Sequence, residues 1–178
     1  IFCYEGAVPF FRREALEAVK MLKSKPDAEF RYEYLDEDFV WYADELDLGW
    51  RFHHAGWMNW YEPRVLAAHD RQTTKRLSTG YKSFIELRIT VPAQKRMLDW
   101  RNQRLAFLKN DYSSSFLKDI LFWLPRELMM LGYFIIFERT SLPAYIGMLK
   151  MVPLMLRKRR EIMRTDKTSA YKMRKWFL

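Results

Sequence analysis

Asp44, Glu45 and Asp47 crowd into one helical turn, and the imidazole of His69 follows roughly two dozen residues later. Carboxylates and imidazoles take up protons near neutral pH and hold divalent cations, so this stretch is where acid/base or metal chemistry would be sought. The helix carrying the carboxylates has its stop signal at Gly56. Its first turn offers unpaired N–H groups and the positive end of the helix dipole, which favour an ionised carboxylate able to act as a base. Asp47 and Arg51 stand four apart and read as a surface ion pair. His53 and His54 fall in the last turn, as capping or surface residues that suit the negative dipole end.

Other elements must position these side chains. A short strand is expected near residues 2–5, a helix from about Arg12 to Leu22, a turn at 24–27, and a loop in which Asp36 and Asp38 form their own Asp-rich turn. After Gly56, the runs Trp57 to Tyr61 and Val65 to Ala68 read as two short strands, the second ending on His69, and strand ends are where sites are commonly built. The polar segment 72–80 marks a boundary. Beyond it, apolar residues recur at helical spacing from Tyr81 to about Lys109, with a break at Pro92, and Ser113–Ser115 reads as a turn and N-cap.

The chain has 178 residues and a net charge of +9, spread unevenly. Residues 1–70 hold 8 Lys and Arg against 14 Asp and Glu, whereas residues 71–178 hold 23 against 8. The single cysteine, Cys3, excludes an internal disulfide and a Cys-cluster zinc site and points to a reducing compartment. Two apolar stretches, 116–137 and 141–156, are each interrupted by charges and prolines, so neither reads as a membrane span. Phe122, Trp123, Tyr133, Phe134 and Phe137, together with Arg157, Lys158, Arg159 and Arg160, instead suit helices lying on an anionic membrane surface. The alternative cover for these helices is the rest of the chain or a second copy, a homo-oligomer. No nucleic-acid-binding motif accompanies the basic charge, which lies in a terminal block among Met and Leu.

Gly6-Ala-Val-Pro-Phe-Phe-Arg-Arg-Glu14, Leu35-Asp-Glu-Asp-Phe39, Tyr42-Ala-Asp-Glu-Leu-Asp-Leu-Gly-Trp-Arg51, Ala55-Gly-Trp57, Tyr61-Glu-Pro63 and Ala68-His69 resemble, in order and spacing, the C-terminal half of a family 2 glycosyltransferase catalytic domain, with a tail similar to that of bacterial rhamnosyltransferase-like members. The resemblance implies an α/β protein: the acceptor-side half of a GT-A domain over residues 1–75, followed by a mostly helical, basic extension over 76–178. It implies an inverting transferase that moves a sugar from a nucleotide-sugar donor to a hydroxyl of a cell-envelope saccharide or lipid-linked acceptor. Glu45, with Asp44 as the alternative, would be the catalytic base, because the family writes Glu-Asp where this chain has Asp-Glu. His69 would ligate a divalent metal, Mg or Mn, and Gly6, Trp41, Asp47 and Trp57 would contact substrate. The nucleotide-binding half with its Asp-x-Asp is then expected upstream of Ile1, this segment alone being inactive, and the protein is expected in the cytoplasm, peripheral on the inner face of the cell membrane. The Gln-x-x-Arg-Trp motif of processive synthases is missing from the sequence, which favours one or a few additions per encounter. Two other classes compete: a non-catalytic membrane adaptor, for which Glu45 would be dispensable, and a basic nucleic-acid-binding protein, which would show salt-dependent binding to RNA or DNA.

Overall fold

The computed structural model describes residues 1–4, 9–25, 29–65, 68, 85–86, 88 and 90–177. Helix α1 (Arg13–Val19) leads into a two-stranded antiparallel sheet of β1 (Met21–Leu22) and β2 (Tyr32–Glu33), in which Met21 pairs with Glu33 and Leu22 with Tyr32. A 3-10 turn, η1 (Glu37–Phe39), precedes helix α2 (Asp44–His54). Then come α3 (Ala93–Asn110), α4 (Ser113–Lys118), α5 (Ile120–Ile136), a 3-10 turn η2 (Arg139–Ser141), α6 (Pro143–Arg164) and α7 (Ala170–Arg174).

Helix ends follow local rules. At the end of α2 the Gly56 N–H donates to the His53 carbonyl and the Trp57 N–H to that of Phe52, with Gly56 at φ +82°, the left-handed turn that closes a helix on glycine. α3 begins immediately after Pro92, as the break in the pattern implies, and the described residues 85, 86, 88 and 90 before it are also helical. Ser113–Ser115 forms the first turn of α4 and does not cap it; the preceding Tyr112 holds the cap position and makes no side-chain capping bond.

Three apolar clusters share the interior. Ala15 and Val19 of α1 pack on Leu48 and Phe52 of α2. Phe39 meets Leu105 and Ala106 of α3 and Met155 of α6. Trp100, Phe134 and Ala144 join α3, α5 and α6. Burying such side chains contributes about 1.5–3 kcal/mol each for the larger ones.

Among the described residues the sheet has only the strands β1 and β2. Residues 2–4 and 57–61 form no strand. They are joined through a side chain: the Asn59 amide donates to the Phe2 carbonyl at 2.7 Å, while the Phe2 ring stacks on His53 at 5.1 Å. One close approach fixes this edge. A Cβ on Gly49 would lie 2.8 Å from the Cys3 Cβ and 3.0 Å from its Cα. Gly49→Ala is therefore expected to lower stability by about 1–2 kcal/mol in urea denaturation, although alanine is the better helix former by about 1 kcal/mol. A stabilised variant would show that Cys3 does not pack on α2.

Candidate active site

The segment 40–43 aims the start of α2. Val40, Tyr42 and Ala43 have φ of 65°, 70° and 64°, values that side-chain-bearing residues adopt at a cost of about 1–3 kcal/mol each. Ala43 is the N-cap and makes no side-chain capping bond. The segment is held by Asn102 of α3, which is fully buried and whose Nδ2 donates to the carbonyls of Phe39 at 2.8 Å, Trp41 at 2.6 Å and Tyr42 at 3.2 Å. Asn102→Ala is expected to lower stability by about 1–3 kcal/mol, the cost of leaving buried carbonyls unpaired, with faster amide exchange concentrated at residues 40–45. An exchange pattern unchanged in that segment would rule out the clamp.

Asp44 and Glu45 follow as the first residues of α2, and both are half-buried. Their field reaches Tyr4 and Cys3. Burial, then the negative charges of Asp44 and Glu45, push the Tyr4 hydroxyl well above its ordinary value, and burial followed by Glu45 raises the Cys3 thiol. Trp41 stacks on Tyr42 at 5.1 Å with half its surface exposed, and the Lys95 ammonium lies 4.3 Å from the Trp41 ring centre. An aromatic pair, Trp41 exposed and Tyr42 half-buried, therefore precedes the two carboxylates on the chain.

Beneath them the same helix turns inward. Asp47 is fully buried and accepts from Arg51 Nε at 3.0 Å and Asn110 Nδ2 at 2.7 Å, with Lys109 Nζ at 2.6 Å. The surface ion pair expected of Asp47 and Arg51 is thus a buried one, because α1, β2 and α3 close over it: the Arg51 guanidinium also donates to the Val19 and Tyr34 carbonyls, each at 2.5 Å. Both Asp47 oxygens are taken from within, so this residue supports the site and does not face a substrate. Lys109 passes the chain of charges on to Asp36 at 2.5 Å, and Lys158 of α6 bonds Asp36 at 2.6 Å, Glu33 at 2.7 Å and Asp38 at 2.8 Å. Burial alone would raise the Asp36 carboxyl, but the ammoniums of Lys109 and Lys158 outweigh it and hold the group at about 2. Glu33 keeps a raised value because burial exceeds the help of its one lysine. Asp36 also accepts from the Asp38 N–H, the Asp-rich turn expected of this loop.

Oxygens of Glu33, Asp36 and Asp38 lie within 4.8 Å of one another, a spacing that could hold a divalent ion. The Lys158 ammonium already bonds all three, so the negative charge is matched from inside and the donor set does not fit a metal. Gly6 and His69 lie outside the described residues, as does the boundary segment 72–80. Trp57 packs against the α1–α2 cluster at the opposite end of α2 from Asp44, whereas Trp60 is 83% exposed.

The two histidines of α2 differ from expectation. His53 Nε2 bonds the Phe2 carbonyl at 2.8 Å, and burial keeps its pKa below the ordinary value. His54 bonds Asp166 at 3.1 Å and the Asn110 carbonyl at 2.8 Å. Both are buried because α7 and the turn before it fold back over the end of α2; the Lys167 N–H donates to the His54 carbonyl.

Asn102 and Lys109 do not stand out in the sequence, and Lys158, which reads there as a membrane-facing cation, is turned inward onto the carboxylates. Their signal is positional: Asn102, Leu105, Ala106, Lys109 and Asn110 recur at one-face helical spacing, as do Met155, Lys158 and Ile162, so polar residues occupy inward positions. Compared with known proteins, the chain matches no family model, no curated protein and no solved structure.

Proposed function

We propose that this chain contributes the acceptor-side, base-bearing part of an inverting glycosyltransferase, with the α/β GT-A fold that the motifs imply. The observation that carries the reading is the division of labour within α2: Asp44 and Glu45 lie half-buried on its first turn behind a stiff left-handed segment, while Asp47 and Arg51 of the same helix are locked into a buried ionic network. Such a network fixes the direction of the first turn, and pre-positioning is what a general base needs.

In this reading Glu45, with Asp44 as the alternative, takes the proton from the acceptor hydroxyl as its oxygen attacks the anomeric carbon of the nucleotide sugar, and the nucleoside diphosphate departs from the opposite face with inversion. Trp41 and Tyr42 offer a flat face for a sugar ring of the acceptor saccharide. A divalent metal, Mg or Mn, is assigned in this reading to His69 and to a nucleotide-binding half, and the buried Glu33–Asp36–Asp38 cluster is not its site. The experiment is sugar transfer from a panel of nucleotide sugars by the longest natural chain containing these residues, compared with its Glu45→Gln and Asp44→Asn variants.

A further inference from the structure

The outer side of the helical half presents a second surface, on helices α5 and α6, apart from Asp44 and Glu45. Helix α5 packs through one stripe, Trp123, Glu127, Met130 and Phe134, spaced four, three and four residues apart. Among the described residues its opposite side is exposed and almost wholly apolar. Leu121 and Phe122 are 80% and 79% exposed, and Leu128, Met129, Ile135 and Ile136 continue the face, with Arg126 the charge among them. An apolar face that runs the length of a helix marks an interaction surface.

Helix α6 shows what kind of surface meets it. Its exposed stripe is apolar beside the bend, at Ile146 and Leu149, and turns cationic away from it, at Lys150, Arg157, Arg160 and Arg164. At about 100° per residue, these six positions fall on one side of the helix. Four acidic side chains of this half are already ion-paired within the chain: Asp119 with Arg174, Glu127 with Arg104, Glu138 with Arg88 and Arg96, and Asp166 with His54. Among the described residues no single helix is long and apolar enough to cross a membrane; α5 and the stretch from Arg139 to Arg164 reach that length and apolarity together, but they are bent by 118°.

We infer that the α5–α6 corner seats in one leaflet of an anionic phospholipid bilayer, with the bare face of α5 and the bend among the acyl chains and the α6 cations on the headgroup phosphates. Charge complementarity selects lipid over a second copy. Two such faces would set like-charged ladders against each other, whereas an anionic surface satisfies both the apolar and the cationic parts. The structure also corrects which residues take part. Lys158 and Arg159 of the basic run point inward, Lys158 to the carboxylate cluster and Arg159 to the Leu108 carbonyl and Ser113, so Arg157 and Arg160 alone of the four face outward. Phe134 is core, Trp123 and Tyr133 are half-buried, and Phe122 and Phe137 are the exposed rings.

The test is co-sedimentation of the 178-residue chain with phosphatidylcholine vesicles, plain or containing about 30% phosphatidylglycerol, at about 0.1 M and about 1 M salt, where screening lengths are about 10 Å and 3 Å. Binding is expected to require phosphatidylglycerol and to weaken with salt. Arg157→Gln with Arg160→Gln should reduce it about 30-fold at low salt. Phe122→Ser with Ile136→Ser should reduce it at least about tenfold at both salt levels. Circular dichroism should show both variants folded, since all four side chains are exposed. Equal binding to neutral vesicles, or binding untouched by the Arg pair, overturns the assignment. So does failure to bind any vesicle, with sedimentation equilibrium then separating a dimer broken by the Phe122/Ile136 variant, which would place a second copy on this face, from a bare monomer.

Discussion

Lys158→Met is expected to lower folding stability by about 3–5 kcal/mol at pH 7, measured by urea denaturation. The substitution keeps most of the side-chain volume on α6 but withdraws the ammonium that Glu33, Asp36 and Asp38 share. Glu33 and Asp36 would stay buried, with Lys109 as the remaining cation on Asp36. The dependence on pH separates this cause from lost packing. In the native chain Asp36 is held at about 2, below its ordinary value, so its contribution is complete above about pH 4 and disappears as pH falls toward 2. Glu33, raised by burial, works in the opposite sense and gains on acidification. Burial disfavours the Lys158 ammonium, but its carboxylate partners hold it above the ordinary lysine value, so its contribution is present at neutral pH and lost only at strongly alkaline pH. The methionine variant should therefore recover more stability than the native chain as pH falls from 7 toward 4. A loss under about 1 kcal/mol at pH 7 would mean the network is not buried as described.

Glu45→Gln is expected to lower the turnover of sugar transfer by at least about a hundredfold, the scale for loss of a general base, while the amide keeps the size and hydrogen-bonding reach of the side chain. KM for the donor should stay within about threefold, because the acceptor proton, not the nucleotide, is what the carboxylate handles. Helix α2 should remain folded, since its anchors are Asp47 and Arg51. If Asp44→Asn is the crippling change and Glu45→Gln is mild, the base is Asp44. Two mild variants would remove the site proposal and leave a scaffold helix.

Much that is local was legible in the sequence. The acidic first turn and the glycine stop of α2, the break at Pro92 and the turn at Asp36 rest on short-range rules of helix dipoles, glycine closure, proline geometry and Asx hydrogen bonding, and each is present. The buried ionic network was not, because its partners meet across 73 residues for Lys109 and Asp36 and 122 for Lys158 and Asp36. A lysine in a basic run looks like a solvated charge until its helical face is known. The aromatic run from Trp57 to Tyr61 suggested a strand for the opposite reason: β propensity is a preference for half-buried pleated surface, and Asn59 bonds Phe2 where a ladder would be needed. Of the site, the half-exposed carboxylates were visible as a pattern, whereas the clamp from Asn102 depends on α3 crossing the loop.

Three of the four residues from Val40 to Ala43 sit at positive φ, yet none of the chain's six glycines is among them. Glycine would relieve the steric cost and give the folded chain more stability at each position, but it would also open many backbone conformations of similar energy. Valine, tyrosine and alanine leave few. The segment therefore surrenders its conformational entropy when the chain folds, leaving little to lose when a ligand arrives at Asp44 and Glu45, and ordering costs that usually weaken a loop-built site fall on the folding equilibrium instead.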